Sequence, residues 1–144
     1  MTTYKVYMEV MPENDIREIS NSFEEIENFI NIDDYTYSAS VDIDTKTHRF
    51  SNIIVTKYVD KNSPFLWDML NDINTKKYIR FYRIDEEEKS KFNSVRSIDS
   101  FGGAEFISIH GSNNVETYSI SCKSLAMESS FSGVKTTSGI CNFV

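Results

Sequence analysis

The amino-acid sequence predicts a mainly β protein: an antiparallel β-barrel, closed or nearly closed, with one α-helix at about residues 63–74. Three observations predict this fold. About seven or eight segments have strand-like patterns, eight Tyr and ten Phe supply the aromatic side chains that sheets accommodate, and one segment has clear helical spacing. A barrel removes the exposed edges that so many strands would otherwise create. With 144 residues, the chain is expected to form a single domain, 1–144.

The first segments of the chain predict one strand and one ambiguous element. Residues 3–10 predict a half-buried strand, because apolar side chains occupy every second position. Residues 12–15 then predict a turn. The apolar residues of 22–32 fit a helical face by a small margin, and they also fit a strand with one polar interruption.

Two strands are predicted before the helix. Residues 35–43 alternate strictly and predict a strand whose Tyr and aliphatic side chains share one face. Residues 44–49 follow as a polar connection with both charge signs. Residues 50–59 are apolar on both faces, which is typical of a central, doubly covered strand.

The helix is predicted from its start signal and its apolar face. Ser63 can act as the N-cap and Pro64 then falls at the first helical position, where its missing N–H costs nothing. Leu66, Met69, Leu70 and Ile73 follow at the i, i+3, i+4, i+7 spacing. There is no Gly after the last turn, so Asn71 or Asn74 is left as the stop.

The second half of the chain reads as strands and turns. Residues 76–84 predict a strand, 85–88 an acidic turn and 89–98 a weaker returning strand. Ser100, Gly102 and Gly103 predict a flexible loop. Strands are predicted over 104–110 and 115–127 around a turn at 111–114. Residues 129–144 are open to two interpretations, a loose tail or a short added strand.

Charge and composition exclude several classes of partner. The net charge is −7, with 22 acidic against 15 basic residues, which argues against nucleic-acid binding. No segment approaches the roughly 20 apolar residues of a membrane-spanning helix, and no basic segment followed by an apolar run marks a signal peptide. Cys122 and Cys141 have neither metal-like nor redox-like spacing, so reduced thiols are expected.

The residues give no support for catalysis. His48 and His110 are isolated from other chemistry-bearing residues, and the serines have no nucleophile context. Asp42 and Asp44 could meet a divalent ion, but a polar strand end explains them as well. We therefore expect neither an enzyme nor a cofactor or metal.

The helix and the strands around it resemble one known family. The segment leading into the helix resembles that of Hcp proteins, the tube subunits of bacterial type VI secretion systems. Residues 50–59, 78–83 and 116–120 resemble the family's strands before the helix, after it and last in the chain. The likeness is good over 46–127 and weak over 1–45. The family-like motif consists of Lys57, Asp60, Lys61, Ser63, Pro64 and Leu66.

This resemblance implies a fold and a structural role. The fold is a compact β-barrel of two packed sheets with one helix, in which 23–32 is a strand. The subunits would form hexameric rings that stack into a hollow tube inside a contractile sheath, with effectors carried in the lumen. The implied partners are the chain itself, sheath, spike and baseplate proteins, and effector cargo. The implied locations are the bacterial cytoplasm during assembly and the cell exterior after firing.

The resemblance also implies a ring-stacking element. The family's long loop between early strands reaches toward the next ring, and it corresponds here to about residues 38–49. The stacking candidates are Asp42, Asp44, Lys46, His48 and Arg49. Their alternating charges suit a polar interface that forms and dissociates, and equally suit a solvated hairpin.

Other functions remain as alternatives. One is a monomeric β-barrel that binds a ligand or a protein, because the abundant Tyr and Phe could line an apolar pocket. Another is the tail-tube protein of a phage-like contractile machine. A hydrolase with paired acids is the weakest alternative, because no residue points to such a pair. Self-assembly distinguishes a tube protein from the binding module and from the hydrolase.

Overall fold

The computed structural model describes residues 4–18, 29–72, 75–87, 95–131 and 134–142. Within these ranges there are eleven strands and one helix. The strands are β1 (Tyr4–Pro12), β2 (Ile30–Ile32), β3 (Asp34–Thr36), β4 (Ala39–Asp42), β5 (Thr47–Phe50), β6 (Ile53–Tyr58), β7 (Lys77–Asp85), β8 (Val95–Ser112), β9 (Val115–Ser121), β10 (Ser124–Phe131) and β11 (Val134–Asn142). The helix, α1 (Ser63–Asp68), lies between β6 and β7.

Most strands belong to two antiparallel sheets that share β8. Sheet 1 has the order β2-β1-β7-β8-β10-β11, and sheet 2 has the order β8-β9-β6-β3. β8 pairs with β7 through Ala104 and with β9 from Glu105 onward, so this strand passes from one sheet into the other. β4 and β5 pair with each other in a separate two-stranded hairpin.

The two sheets do not close into a hydrogen-bonded ring within the described ranges. The path of paired strands ends at β2 and β3, which are consecutive in the chain and separated only by Asp33. The Asp33 N–H donates to the carbonyl oxygen of Thr56 at 2.8 Å, where the chain turns from sheet 1 into sheet 2. The predicted antiparallel β fold with one helix is confirmed, and the closed form of the barrel is wrong.

The hydrophobic core lies between the sheets. Its fully buried side chains come from both, and α1 adds Leu66. Burying one such side chain stabilises the fold by about 1.5–3 kcal/mol. The fully buried core residues of sheet 1 include Met8, Ile79, Phe81 and Phe101, and those of sheet 2 include Ile53, Val55, Tyr118 and Ile120.

The outer face of sheet 1 is also covered. The Tyr82 hydroxyl is buried and donates to Glu9 Oε1 at 2.6 Å. Arg80 Nη1 donates to the carbonyl oxygen of Arg17 at 2.7 Å, and the ring of Phe29 packs 5.5 Å from that of Tyr82. The prediction that β1 is half-buried is therefore wrong, because the segments that follow β1 lie over its second face.

The N-terminus of α1 differs from the prediction. Its N-cap is Asn62, which makes no side-chain capping bond, so Ser63 is inside the helix rather than at its cap. The Ser63 hydroxyl instead donates to Glu116 Oε1 at 2.6 Å. Pro64 still lies in the first turn, where no intrahelical partner is lost.

The C-terminal part of the predicted helix is a series of tighter turns. α1 ends at Asp68 rather than at residue 71 or 74. The N–H groups of residues 70–72 then donate to carbonyl oxygens three residues earlier. Met69 and Leu70 pack against the core as predicted. Residues 73–74 lie outside the described ranges.

The strand predicted over 35–43 is two strands. β3 pairs with β6, whereas β4 pairs with β5, and the chain leaves sheet 2 at residues 37–38. Val41 and Ile43, predicted to share a covered face with Tyr35, are 52% and 83% exposed. Alternation defines a face and not its partner, which is why it did not distinguish the two strands. The predicted polar connection 44–49 is shorter, because β5 begins at Thr47.

The strand predicted over 50–59 is β6 alone, and only one of its faces is covered. Ile53, Val55 and Lys57 are buried, whereas Ile54 and Tyr58 are exposed. Phe50 belongs to β5, before a break at residues 51–52. β6 pairs with β3 and with β9, so the prediction of a central strand is confirmed, whereas its second face is exposed rather than covered.

β7 confirms the strand predicted over 76–84, and it includes Asp85. The turn that follows contains the exposed residues Glu86 and Glu87, and residue 88 lies outside the described ranges. Of the returning strand predicted over 89–98, the described part, 95–98, is the beginning of β8.

The flexible loop predicted at Ser100, Gly102 and Gly103 is instead a buried part of β8. Gly103 has a φ of 60°, which a residue with a side chain adopts only at a cost. A Cβ on Gly102 would lie 2.5 Å from the hydroxyl oxygen of Ser124 on β10. The two glycines thus mark the place where β8 bends and a neighbouring strand packs closely, not a mobile loop.

The strand predicted over 115–127 is interrupted. β9 and β10 are separated at residues 122–123, where the Lys123 N–H donates to the carbonyl oxygen of Gly102 at 2.9 Å. The turn before β9 consists of Asn113 and Asn114, with a positive φ of 56° at Asn113. It is therefore shorter than the predicted 111–114.

Two uncertain segments contain strands. Within 129–144, residues 134–142 form β11, which pairs with β10 at the edge of sheet 1. Within 22–32, residues 30–32 form β2, a strand as the family resemblance implies rather than a helix. Residues 22–28 lie outside the described ranges.

Candidate functional site

The hairpin β4–β5 places the five predicted stacking residues on one element. Asp42 ends β4, Asp44 and Lys46 lie in the turn, and His48 and Arg49 lie on β5. In the hairpin ladder, Asp42 is opposite residue 47, His48 opposite residue 41 and Arg49 opposite residue 40. We call this element the stacking hairpin, residues 39–50.

Asp42 organises the turn of the stacking hairpin. Its Oδ1 accepts hydrogen bonds from the N–H groups of Asp44 at 3.0 Å and Thr45 at 3.2 Å. This Asx arrangement, with a positive φ of 55° at Lys46, closes the hairpin. Among the described residues, no three His, Cys, Asp or Glu side chains are grouped as metal ligands. The Asp42 carboxylate therefore has a clear structural use in the turn.

The stacking hairpin is exposed at its tip and anchored at its base. At the tip, Ile43 is 83% exposed. At the base, the Ser51 N–H donates to the carbonyl oxygen of Ser38 at 2.9 Å. The ring of Phe50 packs 5.8 Å from that of Phe101 in the core. An anchored element with an exposed apolar tip can contact another molecule without disturbing the core.

The family-like motif folds around a buried lysine. Lys57 is fully buried, and its Nζ lies 2.9 Å from Asp60 Oδ1 and 3.3 Å from Glu116 Oε1. The same ammonium donates to the carbonyl oxygen of Tyr58 at 2.8 Å and to the Ser63 hydroxyl at 3.2 Å. A buried charge is tolerated only with such partners. The motif therefore ties the end of β6 to α1 and β9.

The remaining motif residues have simpler positions. Leu66 is fully buried in the core, Pro64 lies in the first turn of α1, and Lys61 is exposed in the turn before it. Lys57, Asp60 and Ser63 therefore share one cluster, while the other three motif residues lie outside its hydrogen bonds.

Glu116 is the centre of this cluster. Its carboxylate also accepts hydrogen bonds from Trp67 Nε1 at 2.6 Å and from the Tyr118 hydroxyl at 2.8 Å. Burial alone would raise the pKa of the Glu116 carboxyl. The hydrogen bonds from Ser63, Trp67, Tyr118 and Lys57 outweigh burial and lower its pKa to about 2. Burial and the bond to this carboxylate raise the pKa of Tyr118. Glu116 is thus an ionised acceptor across the physiological range.

An exposed apolar surface lies beside this cluster. Trp67, whose indole N–H is held by Glu116, is 45% exposed, and Phe65 on the same helix is 46% exposed. Tyr58 is 64% exposed and lies opposite Val115 in the β6–β9 ladder. We call the exposed apolar side chains around Trp67 and the C-terminal end of β6 the helix-end patch; its residues are Tyr58, Val59, Trp67 and Val115. Phe65 is two residues from Trp67 on α1 and lines a separate pocket with Met11, Pro12 and Met69.

The stacking hairpin and the helix-end patch lie at opposite ends of β6. The hairpin joins β3 to the N-terminal end of β6, whereas α1 follows its C-terminal end. The base contact between residues 38 and 51 and the contact from Val59 N–H to the Asn114 carbonyl oxygen, at 2.8 Å, mark these two ends. The two exposed regions are therefore separated by the length of β6.

Sequence reasoning missed part of this site. It placed Glu116 only at the start of the family-like segment 116–120, and it assigned no role to Trp67 or Tyr118. A signal was present, because Glu116 lies on the same strand face as the buried Tyr118 and Ile120. An acid on an apolar face indicates a buried partner, although the sequence does not name it.

No helix in the described ranges combines the length and the apolar character needed to cross a membrane.

Comparison by sequence finds no relative: no protein-family model matches the chain, and neither does any curated protein. Comparison by structure finds close likenesses. The Hcp1 protein from the E. coli EAEC 042 pathovar has a TM-score of 0.67 at 12% identity, with 94% of this chain and 96% of that chain covered.

Two further solved structures agree. Hcp1 from Salmonella typhimurium has a TM-score of 0.65 at 12% identity, with coverage of 95% and 93%. The secreted protein Hcp3 from Pseudomonas aeruginosa has a TM-score of 0.63 at 14% identity, with 99% of each chain covered.

The chain has the Hcp fold. The resemblance predicted from the motif is thereby confirmed, and it extends beyond 46–127 to nearly the whole chain. This Hcp fold includes the N-terminal strands and the stacking hairpin, for which the sequence resemblance was weak. Identities of 12–14% show that the likeness lies in the backbone arrangement rather than in the amino-acid sequence.

Proposed function

We propose that this chain is a structural subunit of a type VI secretion inner tube. Its subunits form hexameric rings, and the rings stack into a hollow tube inside a contractile sheath. The observation that supports this most strongly is the likeness to Hcp proteins over 94–99% of the chain.

Ring closure requires a heterologous interface, in which one patch meets a different patch on the neighbour. The chain offers sheet edges for this purpose. β11 lies at one edge of sheet 1, paired with β10 on one side in the described ranges. Backbone N–H and C=O groups on an open edge can pair with another subunit, so the edge serves assembly.

Ring stacking uses the two opposite ends of β6. The stacking hairpin of one ring meets the helix-end patch of the next, so that Ile43 contacts aromatic side chains such as Tyr58 and Trp67. The charges of Asp44, Lys46 and Arg49 surround this apolar contact. Because the two surfaces differ and lie at opposite ends of β6, the contact repeats without closing, as a tube requires.

The role is mechanical rather than catalytic. Sheath, spike and baseplate proteins are the partners of the assembled tube, and effectors are carried in its lumen. The subunit assembles in the bacterial cytoplasm and leaves the cell when the sheath contracts.

The first test is the mass of the purified protein by light scattering, with negative-stain images of the same peak. We expect particles of about six times the 16.7 kDa subunit mass, seen as rings. A monomer at every concentration up to the millimolar range would contradict the proposal and would favour a monomeric binding module. A phage-like tail tube would also give rings, and co-purification with type VI sheath rather than tail-sheath proteins separates the two.

A further inference from the structure

An open cavity lined by aromatic and polar side chains lies near the base of the stacking hairpin and has no role in the assembly proposed above. It has a volume of about 310 Å³ and lies between β3 of sheet 2 and strands β7 and β8 of sheet 1. Pockets for small ligands begin at roughly this size. Its lining residues are Tyr35, Thr36, Tyr37, Arg83, Ser97 and Asp99. We call it the Tyr35–Arg83 cavity.

The register of β7 and β8 brings three polar side chains to one face of sheet 1. Arg83 on β7 is directly opposite Ser97 on β8. Asp99 lies two residues after Ser97 and is opposite Phe81, which lies two residues before Arg83. Positions two apart on a strand share a face. Arg83, Ser97 and Asp99 therefore all face the cavity rather than the outer side of the sheet.

Ser97 has an unused hydrogen-bonding group. Its hydroxyl oxygen is buried and has no hydrogen-bond partner within the described part of the chain. A buried hydroxyl without a partner costs free energy, about 1–3 kcal/mol. Because this oxygen is also closed to solvent, a ligand in the cavity can supply the missing bond once the Ser97 side chain rotates toward the opening.

The cavity also contains one charge of each sign. Asp99 is 6% exposed, and its carboxylate accepts a hydrogen bond from the Tyr35 hydroxyl. Arg83 is exposed at the mouth of the cavity. Within the described part of the chain, its guanidinium makes no hydrogen bond or ion pair. Its positive charge nevertheless acts on the cavity, because it lowers the pKa of Tyr35 against the larger raising effects of burial and Asp99.

These features define the ligand. A simple anion would be attracted by Arg83 but repelled by Asp99, and a simple cation would meet the reverse. A ligand that carries both charges matches both residues at once. The rings of Tyr35 and Tyr37, with centroids 6.2 Å apart, provide an apolar wall for a small side chain.

We infer that the Tyr35–Arg83 cavity binds a small zwitterion of the free α-amino acid class. The ligand carboxylate accepts hydrogen bonds from the Arg83 guanidinium and from the Ser97 hydroxyl after rotation of the Ser97 side chain, and the ligand ammonium donates to Asp99. This inference does not depend on tube assembly, because every residue that carries it belongs to one subunit.

The test is isothermal titration calorimetry of the purified full chain with glycine, L-serine, L-valine and L-phenylalanine. Acetate and methylammonium serve as half-ligands that carry only one of the two charges. We expect at least one amino acid to bind, and each half-ligand to bind at least tenfold more weakly. Absence of heat from all four amino acids, confirmed by ligand-observed NMR at 10 mM ligand, about the weakest affinity of interest, would overturn the inference.

Two variants assign the contacts. Arg83→Met and Ser97→Ala should each weaken amino-acid binding about tenfold or more, because each removes a bond to a charged group. Ser97→Ala should leave thermal stability unchanged or slightly raised, since it removes a buried hydroxyl without a partner. Arg49→Met, on the stacking hairpin, is the matched control and should bind normally. Unchanged affinity in Arg83→Met would also overturn the inference.

Discussion

Glu116 shows at the level of one residue why a buried acid is retained in an apolar strand. Four side chains donate to its carboxylate, so the cost of removing the charge from water is offset by directed hydrogen bonds. Three of these donors come from parts of the chain that are 49 to 59 positions away. The residue therefore joins β9 to β6 and α1.

Replacing Glu116 by Gln should destabilise the fold by about 2–4 kcal/mol at pH 7, because it leaves the buried Lys57 without one of its two counter-charges. Urea unfolding followed by the single Trp measures this. Glu105→Gln is the control: Glu105 makes a partly exposed 3.9 Å pair with Lys76, and its loss should cost less than about 1 kcal/mol. An equal loss of unfolding free energy in the two variants would show that the buried cluster stabilises the fold no more than the exposed ion pair does.

The same carboxyl predicts how stability depends on pH. Its folded pKa, about 2, lies below the ordinary value of 4.5, so its contribution is complete above pH 4.5 and is lost as pH falls toward 2. We therefore expect the stability difference between the wild type and Glu116→Gln to shrink between pH 5 and pH 2.5. A difference that stays constant over this range would contradict the assigned pKa.

Gly103 gives a second test at the level of a residue. Gly103→Ala should cost about 1–2 kcal/mol, since its φ is 60° and the new Cβ would lie 3.1 Å from the Cβ of Lys123. Gly111→Ala is the matched control on the same strand, because no atom lies within 4 Å of its Cβ position. The control should be neutral or slightly stabilising. Thermal unfolding of both variants measures the difference.

At the level of elements, the sequence predicted what depends on local pattern. The strand around Ile79 and Phe81 and the apolar face of Leu66 and Met69 follow from spacing alone, and the structure confirms them. The prediction from sequence failed where contact with another strand determines the local structure. Gly102 and Gly103 have loop composition, yet contact with β10 makes them part of a buried strand.

The division at Tyr37 has a similar cause. The alternation from Tyr35 to Ile43 is uninterrupted, but β3 finds a partner in β6 and β4 finds one only in β5. Pairing partners are tertiary information, which a single sequence does not contain. For the same reason the sequence named the stacking residues by family likeness, but it did not reveal that Asp42 builds the turn.

Because Asp42 also builds the turn, the test of the stacking hairpin needs a control that keeps the turn's hydrogen bonds. Asp42→Lys together with Asp44→Lys should shorten tubes while the subunits stay folded, because both acids lie on the proposed contact element. Asp42→Asn with Asp44→Asn is the control: the amide oxygen can still accept the bonds from residues 44 and 45, so only charge is lost. Negative-stain length distributions and circular dichroism measure the outcome. Long tubes in the charge-reversed variant would refute the assignment of these acids to stacking.

At the level of the whole molecule, the proposed stacking depends on the two different surfaces at the two ends of β6. The sequence contains the residues of both surfaces, Ile43 and Trp67 among them. It does not predict that the two surfaces lie at opposite ends of one strand. Their opposition follows only from the path of the chain, which enters β6 from the hairpin and leaves it into α1. A subunit with unlike opposite surfaces is suited to unlimited stacking, whereas a monomeric binding module needs no such arrangement.

Removing the hairpin should therefore separate ring formation from stacking. Residues 40–49 can be replaced by Gly-Ser, because Ala39 and Phe50 are directly opposite each other in the hairpin ladder and the ring of Phe50 then stays in the core. We expect this variant to fold and to give rings of about the wild-type mass, with no tubes. Trp67 supplies an independent signal, since it is 45% exposed on the opposite patch. Its emission should shift to shorter wavelength when wild-type rings stack and remain unshifted in the variant. Tubes of normal length without the hairpin would contradict the stacking model, and loss of the rings as well would place the hairpin in ring closure instead.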